Sequence, residues 1–242
     1  MESVFVCYDV CMRKVAIFDI DGTIFRSSLL IELVEVLIDE GIFTVSVRAD
    51  YEREKEHWLN RKGDYESYIM AVVGVFIKHI KGVHHEEFTR AAQIVVDRYR
   101  HRTYMFTEEL IRTLKDEGFY LLAISHSPKG ILDLFCAELG FDKVYGKIYE
   151  LGPTGCFTGS VVDEHVIANK ASTLRHAIEK ENLTLNGSVG VGDTESDIKF
   201  LELVERPVCF NPNMKLYKHA NANGWEIVVE RKDVVYKINK SK

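Results

Sequence analysis

The sequence has few prolines, no paired cysteine motif and no long apolar run, and each absence excludes a class of protein. Only four prolines occur among 242 residues, and no segment has the low-complexity composition of a linker. The five cysteines are scattered without a CxxC pair. We therefore expect reduced thiols in a cytoplasmic protein, and neither a disulfide framework nor a cysteine metal site.

A membrane or secreted protein is not expected. The richest apolar stretch, residues 29–38, is interrupted by Glu32 and Glu35. It is well short of the ~18–20 apolar residues that a membrane-spanning helix needs. The N-terminus has no basic segment, and Asp9 interrupts its apolar run, which argues against a signal peptide.

The chain also lacks an excess of basic residues. It has 31 Lys and Arg against 37 Asp and Glu, a net charge of −6. Non-specific nucleic-acid binding depends on cationic side chains, so we expect no nucleic-acid partner. The 46% hydrophobic and 28% charged composition is typical of a globular protein with a sizeable core and excludes disorder.

Strands alternate with helices through most of the chain, which predicts a doubly wound parallel α/β sheet. Apolar patterning predicts strands over 14–18, 119–124, 144–149, 156–162, 188–191, 207–210 and 226–229. It predicts helices between them over 108–117, 129–139, 166–181, 195–204 and 214–221. Residues 28–102 interrupt this order with a helical pattern, whose clearest parts are 29–37, 68–80 and 86–99.

These patterns predict an α/β core formed by residues 1–25 and 103–242, with residues 26–102 inserted as a helical cap. Residues 1–11 add nothing to the core pattern. Two interpretations stay open for them: an extra strand, or a segment outside the natural protein.

Polar side chains follow three of the predicted strands, and ligands of open parallel sheets bind at the carboxyl ends of the strands. Several carboxylates in one cleft repel each other, and a divalent cation such as Mg²⁺ relieves this repulsion. A remaining carboxylate can attack phosphorus, while a hydroxyl and an ammonium bind the phosphoryl oxygens. The candidate residues are Asp19, Asp21, Ser125, Lys170, Asp193 and Asp197.

Four motifs carry a resemblance to the haloacid dehalogenase-like (HAD) superfamily of phosphohydrolases. They are VAIFDIDGT, LLAISHS, Lys170 and VGVGDTESD, in the order and at the spacing of that superfamily. The resemblance covers residues 12–229, and the helical insertion is similar to that of the subclass that contains phosphoserine phosphatase. It implies a Rossmann-like core with an inserted α-helical cap, and a Mg²⁺-dependent phosphatase.

The resemblance implies specific roles for the carboxylates. Asp19 is the nucleophile that forms an aspartyl-phosphate, and Asp21 is the acid and base. The metal is held by Asp19, by the backbone carbonyl of Asp21 and by Asp193, and Asp197 supports them.

Ser125 and Lys170 bind phosphate, with help from the backbone around His126. The His126 side chain has two interpretations, one facing the substrate and one structural or solvated. The implied ligand is a small phosphorylated metabolite.

Alternatives remain. A phosphotransferase or phosphomutase would use the same aspartate, and a phosphometabolite-binding protein would have no catalysis. Action on a phosphorylated nucleic-acid end is disfavoured by the negative charge. Phosphoserine itself is a weak candidate, because Ser28 stands where such enzymes carry an amine-binding glutamate. The sequence leaves the oligomeric state open.

Overall fold

The computed structural model describes residues 12–162 and 169–238. The two interpretations of residues 1–11, together with Cys7 and Cys11, lie outside these described residues. The described cysteines, Cys136, Cys156 and Cys209, are free thiols.

A mostly parallel sheet forms the centre of the molecule. The described strands follow the spatial order β4-β3-β2-β1-β5-β6-β7-β8, and only β4 and β8 are antiparallel to their neighbours. Their bounds are β1 Arg13–Phe18, β2 Tyr120–Pro128, β3 Lys143–Leu151, β4 Phe157–Val162, β5 Leu183–Gly192, β6 Arg206–Phe210, β7 Glu226–Arg231 and β8 Val234–Ile238. The central strand β1 is buried along VAIF, as expected for a parallel strand covered on both faces.

Helices cover the sheet and fill the segment between β1 and β2. Four of the described helices lie within residues 26–102, the predicted insertion: α1 Leu29–Asp39, α2 Ala49–Leu59, α3 Tyr65–Ile80 and α4 His85–Tyr99. The others are α5 Met105–Asp116, α6 Lys129–Leu139, α7 Lys170–Glu181, α8 Ile198–Leu201 and α9 Met214–Asn223. No helix in the described ranges is long and apolar enough to cross a membrane.

The inserted helices share one apolar cluster with the sheet. Leu33 and Leu37 of α1, Phe76 of α3 and Val95 of α4 are buried together with Phe18 of β1. Removing such side chains from water is the main force that holds the insertion against the sheet. Polar contacts fix the helix starts, since Asp64 caps α3 through the Ser67 amide at 2.7 Å.

The predicted fold class is confirmed, and three local predictions differ from the structure. The helix predicted over 195–204 is a 3-10 turn, Glu195–Asp197, followed by the short α8. Strand β8 was not predicted, and the helical pattern of the insertion did not resolve α2. The division into core and cap at residues 26 and 102 stays a prediction.

Candidate active site

Three neighbouring strands bring the predicted residues to one edge of the sheet. Asp19 and Asp21 follow β1, Ser125 lies near the end of β2, and Asp193 follows β5. Since β2, β1 and β5 are adjacent and parallel, their carboxyl ends meet. A cavity of about 160 Å³ lies there, lined by Asp19, Asp21, Ser125, His126, Lys170 and Asp193, among others.

A buried ammonium lies between two carboxylates of the site. Lys170, the first residue of α7, donates from Nζ to Asp19 Oδ1 at 2.5 Å and to Asp197 Oδ1 at 2.6 Å. All three side chains are buried. A buried charge is tolerated when it is paired and hydrogen-bonded, and Lys170 meets both conditions.

Burial and neighbouring charges act in opposite directions on these groups. Burial raises the pKa of Asp19 to about 7, although the charge of Lys170 lowers it. Burial alone would lower the pKa of Lys170, but the charges of Asp19 and Asp197 outweigh burial and raise it. Lys170 therefore stays an ammonium over the whole physiological range.

Asp193 lies against the turn that follows β1. Thr23 Oγ1 is 3.3 Å from Asp19 Oδ2 and 3.3 Å from Asp193 Oδ1, so its single proton can be donated to either carboxylate. Burial, and then the charges of Asp19 and Asp197, raise the pKa of Asp193 well above its ordinary value. Removing a proton from this cluster is therefore costly unless a cation compensates the charge.

Asp197 accepts hydrogen bonds on both carboxylate oxygens. Its Oδ2 accepts hydrogen bonds from the backbone amides of Asp193 at 3.0 Å and Thr194 at 3.1 Å. Its Oδ1 faces Lys170. Both oxygens thus have partners, which ties the loop after β5 to the first residue of α7.

Asp21 lines the same cavity and has hydrogen-bond partners of its own. Its Oδ2 accepts from Ser125 Oγ at 2.9 Å and from Ser127 Oγ at 2.7 Å, and its Oδ1 accepts from the Leu29 amide at 2.6 Å. The Asp21 carboxylate therefore lies at the N-terminus of α1, beside the hydroxyl groups of β2. His126 is exposed and lines the same cavity.

Ser127 and Tyr65 are among the lining residues of the cavity that were not predicted from the sequence. Ser127 lies on the same face of β2 as Ser125, and this two-residue spacing is a signal that could have identified it. Tyr65, the first residue of α3, also lines the cavity. No local motif marks Tyr65, because packing of the inserted helices places it there.

The carboxylates fit a divalent cation. Asp19, Asp193 and Asp197 each offer an oxygen, and these oxygens lie within 4.8 Å of one another. Hard cations such as Mg²⁺ prefer oxygen ligands of this kind. Without a bound cation, only the positive charge of Lys170 would compensate the negative charges of these three carboxylates.

The chain is also similar to known proteins. Residues 16–202 match the family model of haloacid dehalogenase-like hydrolases. A histidinol-phosphatase of Neisseria meningitidis serogroup C (strain 8013) is 24% identical over 225 residues, which cover 90% of this chain and 99% of the relative.

Solved structures show the same fold. A protein of unknown function from Bordetella pertussis Tohama I has a TM-score of 0.71 at 18% identity. The matched region covers 89% of this chain and 98% of the Bordetella chain. A phosphoserine phosphatase with an analogue of the phospho-aspartyl intermediate has a TM-score of 0.61 at 20% identity. The matched region covers 92% of this chain and 95% of the phosphatase chain. The arrangement of strands and inserted helices is thus shared with a phosphatase structure.

Proposed function

Because the chain belongs to the haloacid dehalogenase-like hydrolase family and is a phosphatase, we propose that it hydrolyses a small phosphomonoester through a phospho-aspartate on Asp19. The observation that carries the proposal is the pairing of Asp19 with Lys170 at 2.5 Å inside the cavity. A carboxylate nucleophile must be buried near a cation to accept a dianionic substrate, and Lys170 supplies that charge.

In the first step, an oxygen of Asp19 attacks phosphorus and the ester P–O bond breaks. The leaving oxygen takes a proton from Asp21, which acts as the general acid. Ser125 binds a phosphoryl oxygen, and so does Lys170, with His126 at the rim of the cavity. The Ser127 hydroxyl holds the Asp21 carboxylate in place.

In the second step, Asp21 accepts a proton from water, whose oxygen attacks the phosphorus of the aspartyl-phosphate. The bond between phosphorus and Asp19 breaks and inorganic phosphate leaves. The Asp19 carboxylate is regenerated, and the two proton transfers at Asp21 cancel.

The residues also fit Mg²⁺, which would be held by Asp19, Asp193 and the backbone carbonyl of Asp21. When bound, the cation neutralises charge on the phosphoryl group and orients it for in-line attack. Asp197 has a supporting role here, because its oxygens already bind Lys170 and two backbone amides.

Residues 26–102 act in this proposal as a cap that closes over the cavity and excludes water. Tyr65, Ile69 and Val73 of α3 line the cavity and support this role. The core is then formed by residues 1–25 and 103–242. A cytoplasmic location and the absence of a nucleic-acid partner remain expectations from the sequence.

Small phosphorylated metabolites are the substrates named for the relatives, and we propose the same general class here. Phosphoserine is disfavoured by the position of Glu32. This carboxylate accepts from Arg102 Nη1 at 2.5 Å, so its charge is already compensated. The ammonium of phosphoserine would have to displace that partner.

The test is a steady-state assay with a panel of phosphorylated metabolites in the presence of Mg²⁺. Hydrolysis should require the cation and disappear in Asp19→Asn, while Asp133→Asn on the exposed face of α6 should keep full activity. Full turnover by Asp19→Asn would contradict the proposal. Transfer of phosphate to an added alcohol, in place of release to water, would identify a phosphotransferase.

A further inference from the structure

A second cavity lies next to the proposed catalytic one. It has a volume of about 470 Å³. Gly22 and Ser27 line the second cavity, and their sequence neighbours Asp21 and Ser28 line the catalytic cavity. Tyr65 lines both cavities. A group attached to a phosphate in the first cavity can therefore extend past Tyr65 into the second.

Aromatic rings form much of the wall of this second cavity. Its four aromatic side chains are Trp58, Tyr65, Tyr68 and Tyr104. The Tyr65 ring packs edge-on against Trp58, with 5.4 Å between centroids, and against Tyr68 at 6.2 Å. Such ring contacts hold the wall in a fixed arrangement before a ligand enters, which lowers the entropic cost of binding.

The wall is also anchored by polar contacts behind it. Glu35 of α1 accepts from Tyr51 Oη at 2.6 Å and from Arg48 Nε at 2.9 Å. Tyr51 in turn packs against Tyr68, with 6.4 Å between ring centroids. The aromatic surface is thus connected to the buried core of the insertion.

The charges of the cavity disfavour an ammonium group. Glu32 is its acidic residue, and Arg102 compensates that charge. Lys55 also lines the cavity, and its nearest carboxylates are 3.9 Å away. Arg26 lines the cavity as well, and its guanidinium lies 5.5 Å from the centre of the Tyr104 ring.

We propose that this second cavity binds the leaving group of the substrate, and that the leaving group is an aromatic ring, either uncharged or bearing an acid. This inference rests on the proposed phosphatase activity. It names the class of substrate: a small aromatic phosphomonoester without an ammonium group.

The first experiment compares benzyl phosphate with ethyl phosphate, two esters of alcohols with similar acidity. We expect kcat/KM to favour benzyl phosphate by about tenfold or more, as burial of a ring against aromatic side chains predicts. Trp58→Ala should remove most of this preference by lowering kcat/KM for benzyl phosphate, whereas an unchanged preference in this variant would contradict the inference. The matched control is Tyr236→Ala, which removes an exposed ring from β8, at the far edge of the sheet.

The second experiment tests the charge preference. Wild-type protein should hydrolyse 4-carboxybenzyl phosphate with a lower KM than 4-(aminomethyl)benzyl phosphate. Arg26→Gln should bring the two KM values together, while Arg112→Gln on the exposed face of α5 should not. A wild-type preference for the amine would overturn the charge part of the inference.

Binding separates this inference from the proposed function. Calorimetric titration with benzylphosphonate and ethylphosphonate, neither of which is an ester, measures the cavity without catalysis. Tighter binding of benzylphosphonate that is lost in Trp58→Ala supports the inference even if no ester is hydrolysed. Equal dissociation constants for the two phosphonates overturn it even if the phosphatase activity is established.

Discussion

At the scale of single residues, Gly22 shows how closely the site is packed. Its φ angle is +82°, in the left-handed region, and a Cβ atom at this position would lie 2.3 Å from Asp193 Oδ2. Backbone conformation and available space therefore both require glycine at this turn. The Asp193 carboxylate keeps its place beside Thr23 because no side chain intervenes.

Replacing Gly22 should therefore cost far more activity than replacing a glycine with a similar φ angle elsewhere. Gly118 is the matched position, because its φ angle is +79° and a Cβ atom there would meet nothing within 4 Å. Gly118→Ala should lower the free energy of unfolding by about 1–2 kcal/mol and leave kcat unchanged. Gly22→Ala should in addition lower kcat by about 100-fold, because it displaces a group that positions the reacting atoms.

Urea unfolding and steady-state kinetics on both variants provide the measurement. Equal activity in Gly22→Ala and Gly118→Ala would show that the Asp193 position does not matter for turnover.

The residues of the site differ in how far the sequence predicts them. Asp19, Asp21 and Asp193 follow short buried strands, so local patterning is enough to place them at one edge of the sheet. Lys170 is a weaker prediction from local pattern, since an isolated lysine on a helix is usually solvated, and the resemblance to the family adds most of its support. Neither the local pattern nor the resemblance predicts Tyr65, because its position depends on how α3 packs against α1, α2 and β4.

At the scale of elements, the start of α3 connects helix stability with the aromatic cavity. Asp64 accepts a hydrogen bond from the Ser67 amide, and Tyr65 is the next residue. This backbone hydrogen bond lowers the pKa of Asp64 below its ordinary value of 3.8. A lowered pKa means that the cap stabilises the fold fully above that value and loses its effect as the pH falls.

Removing this cap should loosen the first turn of α3 and the Tyr65 ring with it. Asp64→Ala is expected to lower the urea midpoint and to raise KM for benzyl phosphate more than for ethyl phosphate. Asp64→Asn keeps an acceptor oxygen but has no titrating group, so its KM for benzyl phosphate should be close to that of wild type. The urea midpoint of wild type should exceed that of Asp64→Asn at neutral pH, and the difference should narrow below pH 4. A pH-independent difference would contradict this account.

Element boundaries were less predictable than element types. The predicted helix over 195–204 contains Asp197, whose Oδ2 accepts hydrogen bonds from two backbone amides. These hydrogen bonds stabilise a 3-10 turn before α8. Strand β8 has an exposed residue at every position, so it lacks the buried apolar run by which the other strands were recognised. It pairs with β7 along the edge of the sheet.

At the scale of the whole molecule, the acidic cluster should couple metal binding to folding. A cation that binds only the folded state stabilises it by about 2.7 kcal/mol at a hundred times its dissociation constant. For a domain of this size, that corresponds to a rise of about 5–10 °C in Tm.

Thermal unfolding with and without Mg²⁺, at equal ionic strength, measures the effect. Asp193→Asn should lose most of the rise, whereas Asp133→Asn should keep it. An equal rise in all three proteins would place the cation elsewhere.

The order of the strands also determines how activity returns after denaturation. Strand β1 pairs with β2 and β5, which enter the chain roughly 100 and 170 residues later. Contacts of such long separation form slowly, because much of the chain must be ordered first. Turnover should therefore recover last after dilution from denaturant, behind the circular dichroism of the helices, since Asp19, Lys170 and Asp193 meet only when all three segments have assembled.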